Sequence, residues 1–130
     1  MPQRPGARSM AYLRKQGYAV GNTEHWNPHA GPINKKTGKP TGIRQDLYRV
    51  IDMVAIRADL PGVLAVQATS RGNLFARVKK SLAEPNLLIW LKAHNRFQVH
   101  GWKRLANGRW SVEVKRIVFK SGELKIADDL

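Results

Sequence analysis

Two polar residues stand where the chain is otherwise most apolar. Asp52 interrupts the run "RVIDMVAI", and Gln67 interrupts "VLAVQATS". Strand side chains alternate, so Asp52 shares a face with Val50, Val54 and Ile56, while Gln67 shares one with Val63, Ala65 and Thr69. A buried carboxylate is costly unless it gains donors, takes up a proton or binds a cation. Two readings of Asp52 are open on these residues: a cation ligand, or a strand-end residue that caps a neighbouring backbone. For Gln67 alone, a buried amide hydrogen-bonded to its neighbours is the plainer reading.

The elements that must position this pair follow from periodicity and punctuation. "GARSMAYLRKQG" places Met10 and Leu13 three apart and stops at Gly17, which predicts a short helix over residues 6–16. "YAVGNTEHW" reads as a strand with Glu24 at its far end. Residues 27–45 mix prolines, glycines and cations and read as a long exposed loop, of a length that is often functional. "DLYRVIDMVAIR" and "GVLAVQATS" read as two strands joined by a turn at Pro61-Gly62, hence adjacent and antiparallel. "GNLFARVKKSLAE" sets Leu74, Val78 and Leu82 at i, i+4 and i+8, an amphipathic helix, and Pro85 opens a second helix, "NLLIWLKAH". "RFQVHGWKRL" and "RWSVEVKRIVF" flank "ANG" as a hairpin over residues 96–119. The order α-β-β-β-α-α-β-β predicts an α/β domain, a mixed central sheet flanked by helices with a C-terminal β-hairpin. A chain of 130 residues fits one such domain, residues 1–130.

Charge points to the partner. Lys and Arg number 23 against 9 Asp and Glu, a net charge of +14. Such an excess repels itself and is matched by a polyanion, for which nucleic acid is the leading reading, DNA first and RNA as an open alternative. No stretch approaches the roughly 20 apolar residues of a membrane span, and no strongly apolar basic helix suggests a membrane surface. "MPQRPGARSM" is basic, but no apolar run follows it, so no secretory signal is expected. The chain has no cysteine, which removes disulfides and thiolate sites and suits a reducing compartment. His25 and His29 lie four apart, but Pro28 stands between them at a strand end, which argues against zinc. "GPINKKTGK" lacks the spacing of a phosphate-binding loop and has no strand directly before it. Asp46, six residues before Asp52, shares its face if the strand is unbroken. It reads as an ion-pair partner for Arg44 or Arg49, with a supporting acid beside Asp52 as the alternative.

Taken together, Glu24, Asp52 and the triplet Gln67-Ala68-Thr69 resemble the PD-(D/E)XK, or restriction-endonuclease-like, nuclease superfamily, which includes Holliday-junction resolvases. The resemblance covers about residues 6–103 and includes the order helix, three strands, helix, strand. It implies a metal-dependent endonuclease that hydrolyses DNA phosphodiester bonds, with branched or structured DNA as the favoured substrate. Glu24, Asp52 and Gln67 would be catalytic, and together with the Ala68 carbonyl they would hold Mg²⁺ or Mn²⁺. A hard cation held by oxygen ligands activates water and offsets the negative charge of the transition state. Two departures stand out. Gln67 replaces the usual acid, and Thr69 stands where the family has its lysine. The family sometimes moves that lysine to the next helix, where Lys79, one turn from Phe75 and next to Val78, would be the fourth catalytic residue and would stabilise charge or orient the water.

Nucleic-acid contacts are expected from Trp26 by stacking and from Lys35, Lys36, Lys39 and Arg44 around the long loop. Arg71, Arg77 and Lys80 would add contacts from the helix, and Lys103 and Arg104 from the hairpin. A homodimer would suit two-strand cutting. Small basic nucleases of this kind are carried by phages and mobile elements and act in the host cytoplasm. Two other readings stay open: a non-catalytic basic nucleic-acid-binding module on the same fold, and a structural protein that assembles on nucleic acid.

Overall fold

A computed structural model of the chain describes residues 4–128, so both ends of the expected 1–130 domain, including the start of the stretch read for a secretory signal, lie outside the described residues. The chain runs α1 (Pro5–Lys15), β1 (Ala19–Asn22), β2 (His25–Asn27), β3 (Ile43–Gln45), β4 (Met53–Ile56) and β5 (Leu64–Ser70). It continues with α2 (Leu74–Leu82), α3 (Pro85–Lys92), β6 (Arg96–Arg104), β7 (Trp110–Lys120) and β8 (Glu123–Asp128). The architecture is α/β with a mixed sheet, as the sequence predicts. Six strands pair in the order β1-β4-β5-β6-β7-β8. Among the described residues only β5 and β6 run parallel, joined by the crossover through α2 and α3.

β5 is buried on both faces, which explains its continuous apolar start. Leu64 and Val66 meet Leu13 of α1, Tyr18, Met53 and Ala55 on one side. Ala65 meets Leu74 and Val78 of α2, Leu87 of α3, Phe97 and Val99 on the other. α2 can lie this close because Gly101 sits beneath its first turn, where an added Cβ would come 3.1 Å from the Leu74 Cβ. α3 starts at Pro85, and the Glu84 side chain caps it by accepting from the Asn86 N–H at 2.9 Å.

Three expectations are corrected. The strand read over residues 46–57 is regular only from Met53 to Ile56. Before it, Leu47 and Ile51 exchange backbone hydrogen bonds of 3.0 Å and close a tight turn through Tyr48 and Arg49. The strand read over residues 18–26 splits after Asn22. β1 stays in the sheet, while His25–Asn27 turns away and pairs with Ile43–Gln45 as a separate ribbon. The long loop is therefore the tip of that ribbon, residues 28–42. Finally, the hairpin is present, with Phe97 opposite Ile117 and Arg104 opposite Trp110, but it continues through a turn at Ser121-Gly122 into β8. No helix among the described residues is long and apolar enough to cross a membrane.

Candidate active site

β4 and β5 run antiparallel with Met53 opposite Val66, so Asp52 arrives one residue before β4, opposite Gln67. Asp52 donates its backbone N–H to the Val66 carbonyl at 2.9 Å, and its carboxylate Oδ2 accepts from the Ala68 N–H at 2.8 Å. The strand-capping reading of Asp52 therefore holds, and it does not exhaust the residue. Glu24, Asp46 and Asp52 each offer a carboxylate oxygen, and the three oxygens lie within 4.8 Å of one another. Together with Arg44, Gln67, Ala68 and Arg77 these acids line a cleft of about 260 Å³.

Local structure brings each acid there. Glu24 follows β1 and is held by the Asn22 side chain, which accepts its N–H at 2.9 Å. Thr23 ties that corner to the strand carrying Asp52, through its N–H to the Asp52 carbonyl at 3.0 Å and its hydroxyl to the Ile51 carbonyl at 2.8 Å. Asp46 reaches the cleft because the 47–51 turn folds the chain back. It does not pair with Arg44, whose guanidinium binds Glu24 at 3.2 Å instead. Asp46 is thus the acid whose expected ion pair is corrected, and it stands among the candidate ligands in its own right.

The electrostatics follow from crowding and burial. Burial pushes the Asp52 carboxyl from its ordinary 3.8 up to about 7. The Ala68 N–H opposes this, while the charge and hydrogen bond of Asp46 and the charge of Glu24 add to it. Three acids in one small cleft leave Asp52 half-protonated near neutrality.

Gln67 is fully buried, with Ser81 of α2 against its amide. The Ser81 hydroxyl donates to the Arg77 carbonyl at 2.8 Å and lies 3.4 Å from the Gln67 Oε1. A hydroxyl has one proton, and the shorter contact takes it. Turning the Gln67 amide over lets its NH₂ donate to the Ser81 oxygen. Ala68 lines the cleft as expected.

Lys79 is corrected. It is exposed and does not line the cleft. Leu74, Val78 and Ser81 form the buried stripe of α2, and Arg77 borders it on the cleft side, two positions before Lys79. Thr69 is buried, 6% exposed. The side-chain cations at the cleft are thus the guanidinium groups of Arg44 and Arg77.

Among the expected nucleic-acid contacts, Lys35, Lys36 and Lys39 stand exposed on the ribbon tip. Trp26 is 58% exposed, with its ring edge against Gly42, where any Cβ would overlap it. Lys80 lines a second cleft beside the first. Lys103 and Arg104 are exposed at the end of β6. Arg71 is half-buried, with its Nε donating to the Gly101 carbonyl at 3.3 Å, so its first role is to brace the start of α2 on β6. No family model matches the chain, and no curated protein or solved structure matches it either.

Proposed function

We propose that the chain is a metal-dependent endonuclease of restriction-endonuclease-like fold that hydrolyses DNA phosphodiester bonds. The observation that carries this reading is the convergence of Glu24, Asp46 and Asp52 in one cleft with Gln67 and two arginines. The order α1, then β1, β4 and β5, then α2, then β6 supports it as well, since it repeats the core order that the resemblance implied.

The donors fit a hard cation. They are carboxylates and an amide, with no thiolate, and the set suits Mg²⁺ or Mn²⁺ rather than zinc. Bound there, such an ion would supply Lewis-acid charge and a more acidic water. The chain's own groups do the rest. Arg77 and Arg44 would hold non-bridging phosphate oxygens, Ser81 would orient the Gln67 amide, and Asp52 would give up its proton as the cation binds. A gel assay on duplex, single-stranded and four-way-junction DNA, with and without Mg²⁺ or Mn²⁺, tests the reading. Cutting that needs the metal is expected, and no cutting of any substrate by the wild type sinks it.

Three further results are expected. Arg77→Ala should slow cutting by about 100- to 1,000-fold, the usual loss for a donor that holds a transition-state oxygen. Lys79→Ala should cut at the wild-type rate, and a large loss with Lys79→Ala would overturn the assignment of the cleft cation. DNA affinity should fall by about a thousandfold between roughly 50 and 200 mM salt, because phosphate contacts from the ribbon tip, α2 and the end of β6 release counterions. Affinity that barely changes over this range in a filter-binding titration would remove the phosphate-backbone footprint.

One observation favours a binding-only form of the same fold. Thr69 replaces the motif lysine, and no lysine lines the acidic cleft among the described residues. That form would bind DNA with the same salt dependence and cut nothing.

A further inference from the structure

The 47–51 turn carries more than its geometry requires. Tyr48 and Arg49 both adopt left-handed backbone, with φ of 52° and 69°. Consecutive non-glycine residues there cost roughly 1–2 kcal/mol each, and two glycines would make the same turn without strain. The side chains point to the reason for keeping them. Both are exposed, Tyr48 to 44%, and both line a cleft of about 510 Å³ together with His25, Arg44, Asp46 and Lys80. Arg44 and Asp46 also line the acidic cleft, so the two clefts share a wall. The Arg49 and Lys80 side chains make no ion pair or hydrogen bond among the described residues.

An accessible aromatic ring beside unpaired cations matches the chemistry of a nucleotide, with a π-face for the base and positive charge for the phosphate. A base stacked within a duplex hides both faces, so the ring of Tyr48 can take only a base that has left the stack. We infer that this second cleft is a nucleotide subsite, which holds an unpaired base on Tyr48 and its phosphate on Arg49 and Lys80, next to the acidic cleft. Its place beside the cut phosphate rests on the nuclease reading; the binding itself does not.

The test separates the two. Binding of an oligothymidine strand and of a fully paired duplex is measured by fluorescence anisotropy, with the full chain and EDTA present, for the wild type, Tyr48→Ala, Tyr48→Phe and Arg49→Gly. Tyr48→Ala should weaken single-strand binding about tenfold and duplex binding less than about twofold, and Tyr48→Phe should restore the single-strand affinity. Arg49→Gly relieves the left-handed strain, so it should raise Tm while lowering the salt slope of binding by about one. Equal losses on both DNAs for Tyr48→Ala, or no loss on either, overturn the stacking role. An unchanged salt slope for Arg49→Gly overturns the phosphate role. Should the wild type cut no DNA while these binding effects appear, the nuclease reading falls and the subsite stands. Metal-dependent cutting without the binding effects removes the subsite alone.

Discussion

Asp52→Asn is expected to abolish metal-dependent cutting and, at pH 8 without metal, to make the protein more stable. Both effects come from one charge. In the folded chain the Asp52 carboxyl holds its proton up to about 7, against an ordinary 3.8, first because it is buried and then because Asp46 and Glu24 face it. A raised carboxyl of this kind binds a proton in the folded state that the unfolded state has already lost. Stability therefore falls as pH rises from about 4 to about 7, by up to about 1.4 kcal/mol per pH unit, and the full penalty is present above 7. The amide put there by Asp52→Asn carries no charge, yet its oxygen can still accept from the Ala68 N–H, as the Asp52 carboxylate does at 2.8 Å. Partial solvent access shrinks the penalty, so a gain of about 2 kcal/mol at pH 8 is expected. On the proposed nuclease reading the same change would remove a ligand of the cation, and a loss of several kcal/mol of transition-state stabilisation is a slowing of about a thousandfold or more. Thermal melts in EDTA and in Mg²⁺ check the argument together with the gel assay. Wild type should gain Tm on adding Mg²⁺, and Asp52→Asn should not. A variant that is less stable than wild type at pH 8 in EDTA, or that still cuts, would show that the Asp52 charge is not held against repulsion for a cation.

How much of this site the sequence reveals depends on the physical signal each residue leaves. Asp52 and Gln67 are legible because strand alternation is strict and both stand in apolar runs, so their opposition across β4 and β5 follows from a short turn. Asp46 is legible only in part: its place beside Asp52 is the alternative to an ion pair with Arg44 or Arg49. Its route to the cleft depends on left-handed Tyr48 and Arg49, and neither residue type announces a turn as glycine or asparagine would. Read as an unbroken strand, the segment puts Asp46 on the Asp52 face but six residues away; folded back, it brings a carboxylate oxygen of Asp46 within 4.8 Å of one on Asp52. The error over Lys79 is one of helical phase. Adjacent residues do not share a face, so standing next to buried Val78 gives Lys79 no access, while Ser81 and Arg77, four apart, share the side that meets Gln67. Ser81 leaves no hydrophobic signal at all, although it is fully buried. The β2–β3 ribbon was hidden because its strands are three residues each and its loop carries every mark of irregular structure. β8 did have a signal: Ser121-Gly122 separates "RIVF" from "ELKI", and Ser-Gly between apolar runs is a turn pair.

Removing the Asp52 charge should also expose a second titration of opposite sign, at His100. This ring is fully buried on the α1 side of the sheet. Its Nε2 lies 2.9 Å from the Gln98 Oε1, which only accepts, so Nε2 carries the proton. Nδ1 then accepts from the Ser9 hydroxyl at 2.8 Å, and the same Ser9 oxygen accepts from the Trp102 Nε1–H at 2.9 Å. Tyr12 meets both rings edge-on, at centroid distances of 5.6 and 5.9 Å. None of these neighbours is a carboxylate that could offset an imidazolium, and burial pushes the His100 pKa from its ordinary 6.5 down to about 3. The unfolded chain therefore takes up this proton first as pH falls, and stability is lost between 6.5 and about 3, by about 1.4 kcal/mol per pH unit. Asp52 gains stability over nearly the same window, so in the wild type the two slopes oppose each other between about pH 4 and 6.5. The wild-type stability curve should be shallow there. In Asp52→Asn the His100 slope remains without its counterweight, and stability should drop by about 2 kcal/mol from pH 6.5 to 4.5. In His100→Gln the surviving slope reverses, and stability should rise as pH falls from 7 to 4, on top of a pH-independent loss from the broken Ser9 and Gln98 bonds. Denaturant melts at pH steps across this range read both slopes as differences from the wild type. A flat Asp52→Asn curve would mean that His100 titrates in the folded protein, and the closed network around it would have to open to water.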